Sequence, residues 1–175
     1  MTGFDALKAG GLLLLAAIAQ VSLVEWIEVS EGRPDLVLVT LVAVSLLRGP
    51  VYGAVGGFSA GLVLDTATFG TFGLTSLLLT IAGYALGRFG EVTTRASVHP
   101  LLIAVALGTV GVTLGTAVLN FMLELGLTVP ASQLFLGVLL PTLALNMLLA
   151  YPVYAACARL LPPRLVVRRE VAAPV

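Results

Sequence analysis

One histidine, one cysteine, a serine set among apolar residues and an isolated aspartate are the side chains of this 175-residue sequence that could do chemistry. Their number and spacing argue against most of it. His99 and Cys157 are two zinc-type ligands, half of what a closed tetrahedral site needs, and a single cysteine excludes an intrachain disulfide. Ser59 as a nucleophile would require a base at its own depth, whereas His99 stands in a connection at the far end of another apolar segment. The stretch "GPVYGAVGGFSAGLVLD" carries glycine at 49, 53, 57 and 61 and raises the question of a phosphate cradle. Neither the G-x-x-x-x-G-K-[ST] nor the G-x-G-x-x-G spacing is present, and no lysine follows. No catalytic site, metal or cofactor is expected.

The elements that must position these residues are apolar helices. The chain is 59% hydrophobic and 10% charged, where a soluble domain carries about 25% charged residues, and its mean hydropathy is +1.10. Segments at about 7–26, 34–48, 51–69, 71–88, 100–125 and 132–157 read as spans of a bilayer whose hydrocarbon core is about 30 Å thick. The expected fold is an all-α integral membrane protein, six transmembrane helices in one glycine-rich bundle over 1–157, followed by a basic tail at 158–175. The second span is short and is parted from the third only by Arg48-Gly49-Pro50, so a break, a tight hairpin or a re-entrant kink would each fit there.

Charge sets the expected orientation. Lys8, Arg48, Arg88, Arg95, Arg159, Arg164, Arg168 and Arg169 fall on one side of a six-span arrangement and Arg33 alone on the other, which places both termini in the cytoplasm. Glu25, Glu28, Glu31 and Glu124 gather on the opposite side, with Trp26 at the boundary. Ala17-Ile18-Ala19 has the small-x-small form of a signal-peptide cleavage site, but the first segment reads as a retained anchor. Formal net charge is zero and no basic run suggests a nucleic-acid partner. The arginines of the tail, Arg159, Arg164, Arg168 and Arg169, suit the anionic cytoplasmic leaflet or a cytoplasmic partner.

Helices in lipid gain little from the hydrophobic effect on meeting, so small residues four apart matter because they let backbones approach. Gly49, Gly53, Gly57 and Gly61 form an extended row of that kind, facing either a neighbouring helix of the chain or a partner, and the pairs 83/87 and 111/115 suggest that the fourth and fifth spans join the same centre. Asp65 continues the row and is not explained by packing, because a carboxylate within a span requires protein or water partners. Counted inward along their helices, Gln20, Asp65 and Asn120 share one depth. The expectation is an outer polar layer in which the two amides hydrogen-bond the Asp65 carboxylate.

Pro34-Asp35 at the start of a span, Arg48-Gly49-Pro50 at its inner end, then Gly53, Gly57-Phe58, Gly61-Leu62 and Asp65, and finally Gly73-Leu74, Tyr84 and Gly87-Arg88 together resemble the MreD family of rod shape-determining proteins. The likeness in motifs covers about 34–88. It implies a non-enzymatic protein of the bacterial inner membrane. Such a protein would bind the single-pass protein MreC and help couple MreB filaments to the peptidoglycan synthases, RodA and its penicillin-binding transpeptidase. A second reading also stays open, since such proteins look similar in size and span number to the substrate-binding subunits of energy-coupling-factor vitamin transporters. Gln20, Asp65 and Asn120 would suit a ligand pocket as well as a sealed layer. Against this reading, no dense aromatic cluster marks the outward loops.

Overall fold

The computed structural model describes residues 3–22, 32–69, 71–93, 98–123 and 133–161. Among these the regular structure is helical: α1 Gly3–Ser22, α2 Leu36–Arg48, α3 Pro50–Ala67, α4 Leu74–Val92, α5 Val98–Met122 and α6 Leu140–Leu160. A π-helical stretch, Gln133–Leu139, leads into α6 without a break. Pro141 stands just past this widened turn, and a proline there lacks an amide to give and crowds the carbonyl four residues back. Three helical stretches, Asp5–Ser22, His99–Met122 and Gln133–Leu160, are long and apolar enough to cross a membrane, and Leu36–Arg48 is a shorter apolar helix. The expectations for Glu25, Trp26, Glu28, Glu31, Arg95, Glu124, Arg164, Arg168 and Arg169 fall outside the described residues.

α2 is the axis of the bundle. Its sequence, LVLVTLVAVSLLR, is apolar on every face, as a helix enclosed by others must be. Residues 37–48 are all buried, and α1, α3, α4, α5 and α6 each pack against it. Thirteen residues reach only about 20 Å, well short of a bilayer core. Helix ends at such depth are tolerable where protein surrounds them, because their unpaired backbone groups then find partners inside the fold. At its far end, the Arg48 guanidinium lies 4% exposed and donates from both terminal nitrogens to the Asp5 carboxylate, each at 3.1 Å, joining the end of α2 to the start of α1.

The break at 48–50 is a tight hairpin. Gly49 alone separates α2 from α3 and holds φ at +96°, a left-handed value that a side chain resists, while Pro50 opens α3 where a missing amide does no harm. Gly49 thus serves the turn first: a Cβ on it would meet only Glu91 Oε1, at 3.7 Å, while its own backbone lies in the seam, its carbonyl carbon 2.7 Å from where a Cβ on Gly87 would be.

The rest of the row is an internal seam. Gly53, Gly57 and Gly61 face α4, and a Cβ added to them would land on the Gly83 carbonyl, the Leu79 carbonyl and the Ser76 backbone. From the other side, Gly83 meets the Gly53 backbone and Gly87 meets Pro50. The pair at 111/115 behaves differently. Gly111 has open space above it and Gly115 touches only the Leu78 side chain, at 2.6 Å from where a Cβ would be, so no second backbone-to-backbone seam forms on α5.

Candidate functional site

The hairpin order brings the end of α1, the start of α2, the end of α3, the start of α4, the end of α5 and the start of the α6 stretch to one end of the bundle. Polar side chains concentrate there, and the first of them is Asp65. It is 3% exposed and accepts hydrogen bonds from the backbone N–H groups of Gly73 (2.8 Å), Thr75 (3.2 Å) and Ser76 (3.3 Å). These are the opening donors of α4, whose own preceding residue, Gly73, has no side chain to cap them. A carboxylate at that position also faces the positive end of the helix dipole. Ser76 adds a tie across the seam, donating from its hydroxyl to the Phe58 carbonyl at 2.8 Å.

The expected bonds from Gln20 and Asn120 to Asp65 do not form. The α3–α4 turn folds three amides onto the carboxylate, and Gln20 is engaged elsewhere. Its side chain donates to the Pro34 carbonyl (3.1 Å) and accepts from Leu36 N–H (2.7 Å), clamping the start of α2. Asp35 caps the same helix, its Oδ1 accepting from Leu38 N–H at 2.8 Å. Asn146, fully buried, accepts from Asp35 N–H at 2.7 Å and donates to Thr109 Oγ1 at 3.0 Å. Gln20 of α1, Asp35 just before α2 and Asn146 of α6 thus accept from the amides of Leu36, Leu38 and Asp35 at the partly buried start of α2.

Asn146 and Thr109 are the residues that motif reasoning passes over. The signal for Asn146 was an amide standing alone in the apolar run LALNMLLA. Replacing it with leucine orphans Asp35 N–H and Thr109. We expect Asn146→Leu to lose about 2 kcal/mol of stability, read as a lowered thermal midpoint of the purified protein in detergent.

Two cavities open at this end. The larger, about 390 Å³, lies among Gln20, Arg33, Pro34, Asp35, Asn120 and Thr142, with Thr113 and Thr116 of α5 on one wall and Leu134 and Val138 of the π-helical stretch on another. A smaller one, about 210 Å³, shares Gln20, Arg33 and Asp35 and extends to Leu64, Thr68 and Thr75 beside the Asp65 cap. The structure therefore brings Gln20 and Asn120 to one cavity and sets Asp65 apart, behind the second.

The remaining motif residues divide by direction. Pro34, Asp35, Arg48, Gly49, Pro50 and Gly87 lie in the helix junctions and the seam described above, and Leu62 is half-buried. Phe58 (54% exposed) and Tyr84 (52%) point away from the fold. Arg88 is exposed and pairs with Glu91 at 2.7 Å, and Arg159 is exposed in the last turn of α6. Ser59 donates to the carbonyls of Val55 and Gly56, His99 is exposed, and Cys157 is buried. Among the described residues no group of three or more His, Cys, Asp and Glu side chains could hold a metal ion.

A helical bundle with three apolar stretches long enough to cross a membrane and a close-packed glycine seam defines the class as helical membrane protein. The class can be made particular, because the family model described as rod shape-determining protein MreD matches residues 9–162. The chain belongs to the MreD family, and its role lies accordingly in the determination of rod shape. No curated protein and no solved structure matches it.

Proposed function

We propose that the chain is a non-enzymatic scaffold of the cell-wall elongation complex in the bacterial inner membrane. In this reading all six helices cross the bilayer as one domain, with both termini and the basic tail in the cytoplasm. The scaffold binds an MreC-like single-pass protein and helps couple MreB filaments to RodA and its penicillin-binding transpeptidase. The observation that carries the reading is the family match, which reaches from within α1 to just past α6.

The geometry supports a seat for a partner helix between α4 and α5. A groove of about 260 Å³ runs there, floored by Ala82, Ala85, Gly108 and Gly111 and flanked by Ile81 and Leu107. Gly111 sits in mid-helix, where glycine weakens a helix by about 1 kcal/mol relative to alanine, and among the described residues nothing lies within 4 Å of where its Cβ would be. A partner backbone needs just such small residues.

Tagged chain drawn from native membranes in mild detergent should bring down a single-pass MreC-like protein or the wall synthases. Gly111→Leu should keep the thermal midpoint and reduce that recovery by roughly tenfold, as expected for a loss of about 1.4 kcal/mol of contact. Recovery of a membrane-embedded coupling protein with paired ATPases would instead establish the transport reading.

A further inference from the structure

From Gly49 to Gly87 the chain carries a single charged residue, Asp65, and that one is enclosed beneath the α3–α4 turn with its oxygens taken by three amides. The turn itself has the opposite of a water-facing character. Phe69 and Phe72 stand 95% and 69% exposed, and Phe69 holds φ at +52°, a left-handed value that an aromatic residue seldom adopts. The polar groups beside these rings are turned inward. Thr66 donates to the carbonyls of Leu62 and Val63, and Thr68 to that of Leu64, which also accepts from the Thr68 N–H. Of the turn's threonines only Thr71, also exposed, makes no hydrogen bond through its hydroxyl among the described residues. Rings outside and hydroxyls inside suit a turn that meets lipid and not water.

Length fixes where that turn ends. At the opposite end of α4, Arg88 and Glu91 are exposed and ion-paired, which marks an aqueous boundary. Arg88 and Leu74 lie about 21 Å apart along the helix. The hydrocarbon core is about 30 Å thick, and tilt shortens the reach further. The turn therefore stops within the far leaflet and does not rise clear of it. Its depth is limited as well, because the last carbonyls of α3, like those of any helix, lack amides in their own helix and need donors from headgroups or water.

We infer that the α3–α4 turn is an interaction surface whose partner is the bilayer itself. It is seated in the leaflet at its own end of the bundle, with the rings of Phe69 and Phe72 among the upper acyl segments just below the headgroups. The Asp65 carboxylate, by gathering the amides of Gly73, Thr75 and Ser76, ties the turn to the start of α4 so that both rings enter the lipid together.

The inference rests on the membrane embedding proposed above and on no protein partner, and the test keeps the two apart. The chain has one tryptophan, Trp26, so Trp26→Phe gives a background without tryptophan. Into it Phe72→Trp, Phe69→Trp or, as a control, Leu114→Trp on the exposed side of α5 is placed one at a time. Each full-length chain goes into phosphatidylcholine nanodiscs. Its emission is read with lipids brominated near the headgroup, with lipids brominated near the chain ends, and with iodide in the buffer. Leu114→Trp should be quenched by the bromines and not by iodide, as embedding requires. The turn variants should lose most of their emission to the shallow bromines, less to the deep ones and little to iodide. Circular dichroism and thermal midpoint identify the variants that fold, and Phe72→Trp, free of the left-handed backbone of Phe69, serves where Phe69→Trp does not. Turn variants quenched by iodide and untouched by bromines, with Leu114→Trp still in lipid, would overturn the inference and leave the rings to a soluble partner. Strongest quenching by the deep bromines would overturn it too, by placing the turn in the membrane interior. A Leu114→Trp chain open to iodide would overturn the embedding, and the inference with it.

Discussion

A Gly57→Leu chain should reach the membrane in normal amount and then fail to form the α3–α4 pair. Insertion is unaffected because leucine is itself favourable in hydrocarbon. Packing is not, because the first added carbon falls on the Leu79 carbonyl, a backbone atom of a helix that cannot turn aside as a side chain could. Either α4 retreats along its whole length or α3 rotates, and rotation would carry Gly53 and Gly61 off Gly83 and Ser76 as well. Overpacking usually costs 1–3 kcal/mol, and a clash with backbone belongs at or above the top of that range, about 3 kcal/mol or more. The protein should therefore aggregate on extraction, and cysteine pairs placed across the seam should no longer cross-link. Gly57→Ala should show the same defect in weaker form. A leucine variant with parental stability and cross-linking would mean that the seam is looser than described.

The second large effect is expected at Asp65. Asp65→Leu leaves the amides of Gly73, Thr75 and Ser76 without their acceptor, in a place 3% exposed. An unsatisfied buried donor costs about 1–3 kcal/mol, so even with partial relaxation the loss should be on the order of 4 kcal/mol. Asp65→Asn keeps one accepting oxygen but turns an NH₂ toward donors and gives up the charge at the α4 dipole, and about half of that loss is expected. The ordering Asp, then Asn, then Leu in thermal midpoint is the prediction. If leucine matched the parent, Asp65 would not be holding the start of α4.

Both effects concern features that were only half legible in the sequence. The six helical segments followed from long apolar runs, and their limits moved by a few residues where local chemistry intervened. The fourth segment, expected over 71–88, begins later because Gly73 holds φ at +89° before the first helical residue, and runs on to Val92. The glycine row announced a close approach, but glycine gives no sign of what approaches. Its neighbour proved to be α4, with Gly83 and Gly87 completing the match. Gln20, Asp65 and Asn120 each stand two residues before the last residue of α1, α3 and α5, which fixes only how far along its own helix each lies. Height leaves the angle around the axis open, and the amides that reach Asp65 belong to the backbone, which carries no signature in a sequence. The start of α2 was better marked: an aspartate just before an apolar run is an N-cap signal. Its clamp by Gln20 and Asn146 was not, since those contacts join residues 14, 16 and 111 positions apart.

That last separation bears on how the protein is made. The helix at the centre of the bundle is among the first to leave the ribosome, yet the amide that completes its opening turn arrives 111 residues later. Until Asn146 has been synthesised, Asp35 N–H must be served by another group, water or a headgroup at the membrane surface. Within hydrocarbon an unserved amide costs several kcal/mol. We expect the start of α2 to reach its final place only when α6 closes around it. A chain cut short after α5 should leave its core helix displaced toward the surface, an early target for membrane quality-control proteases.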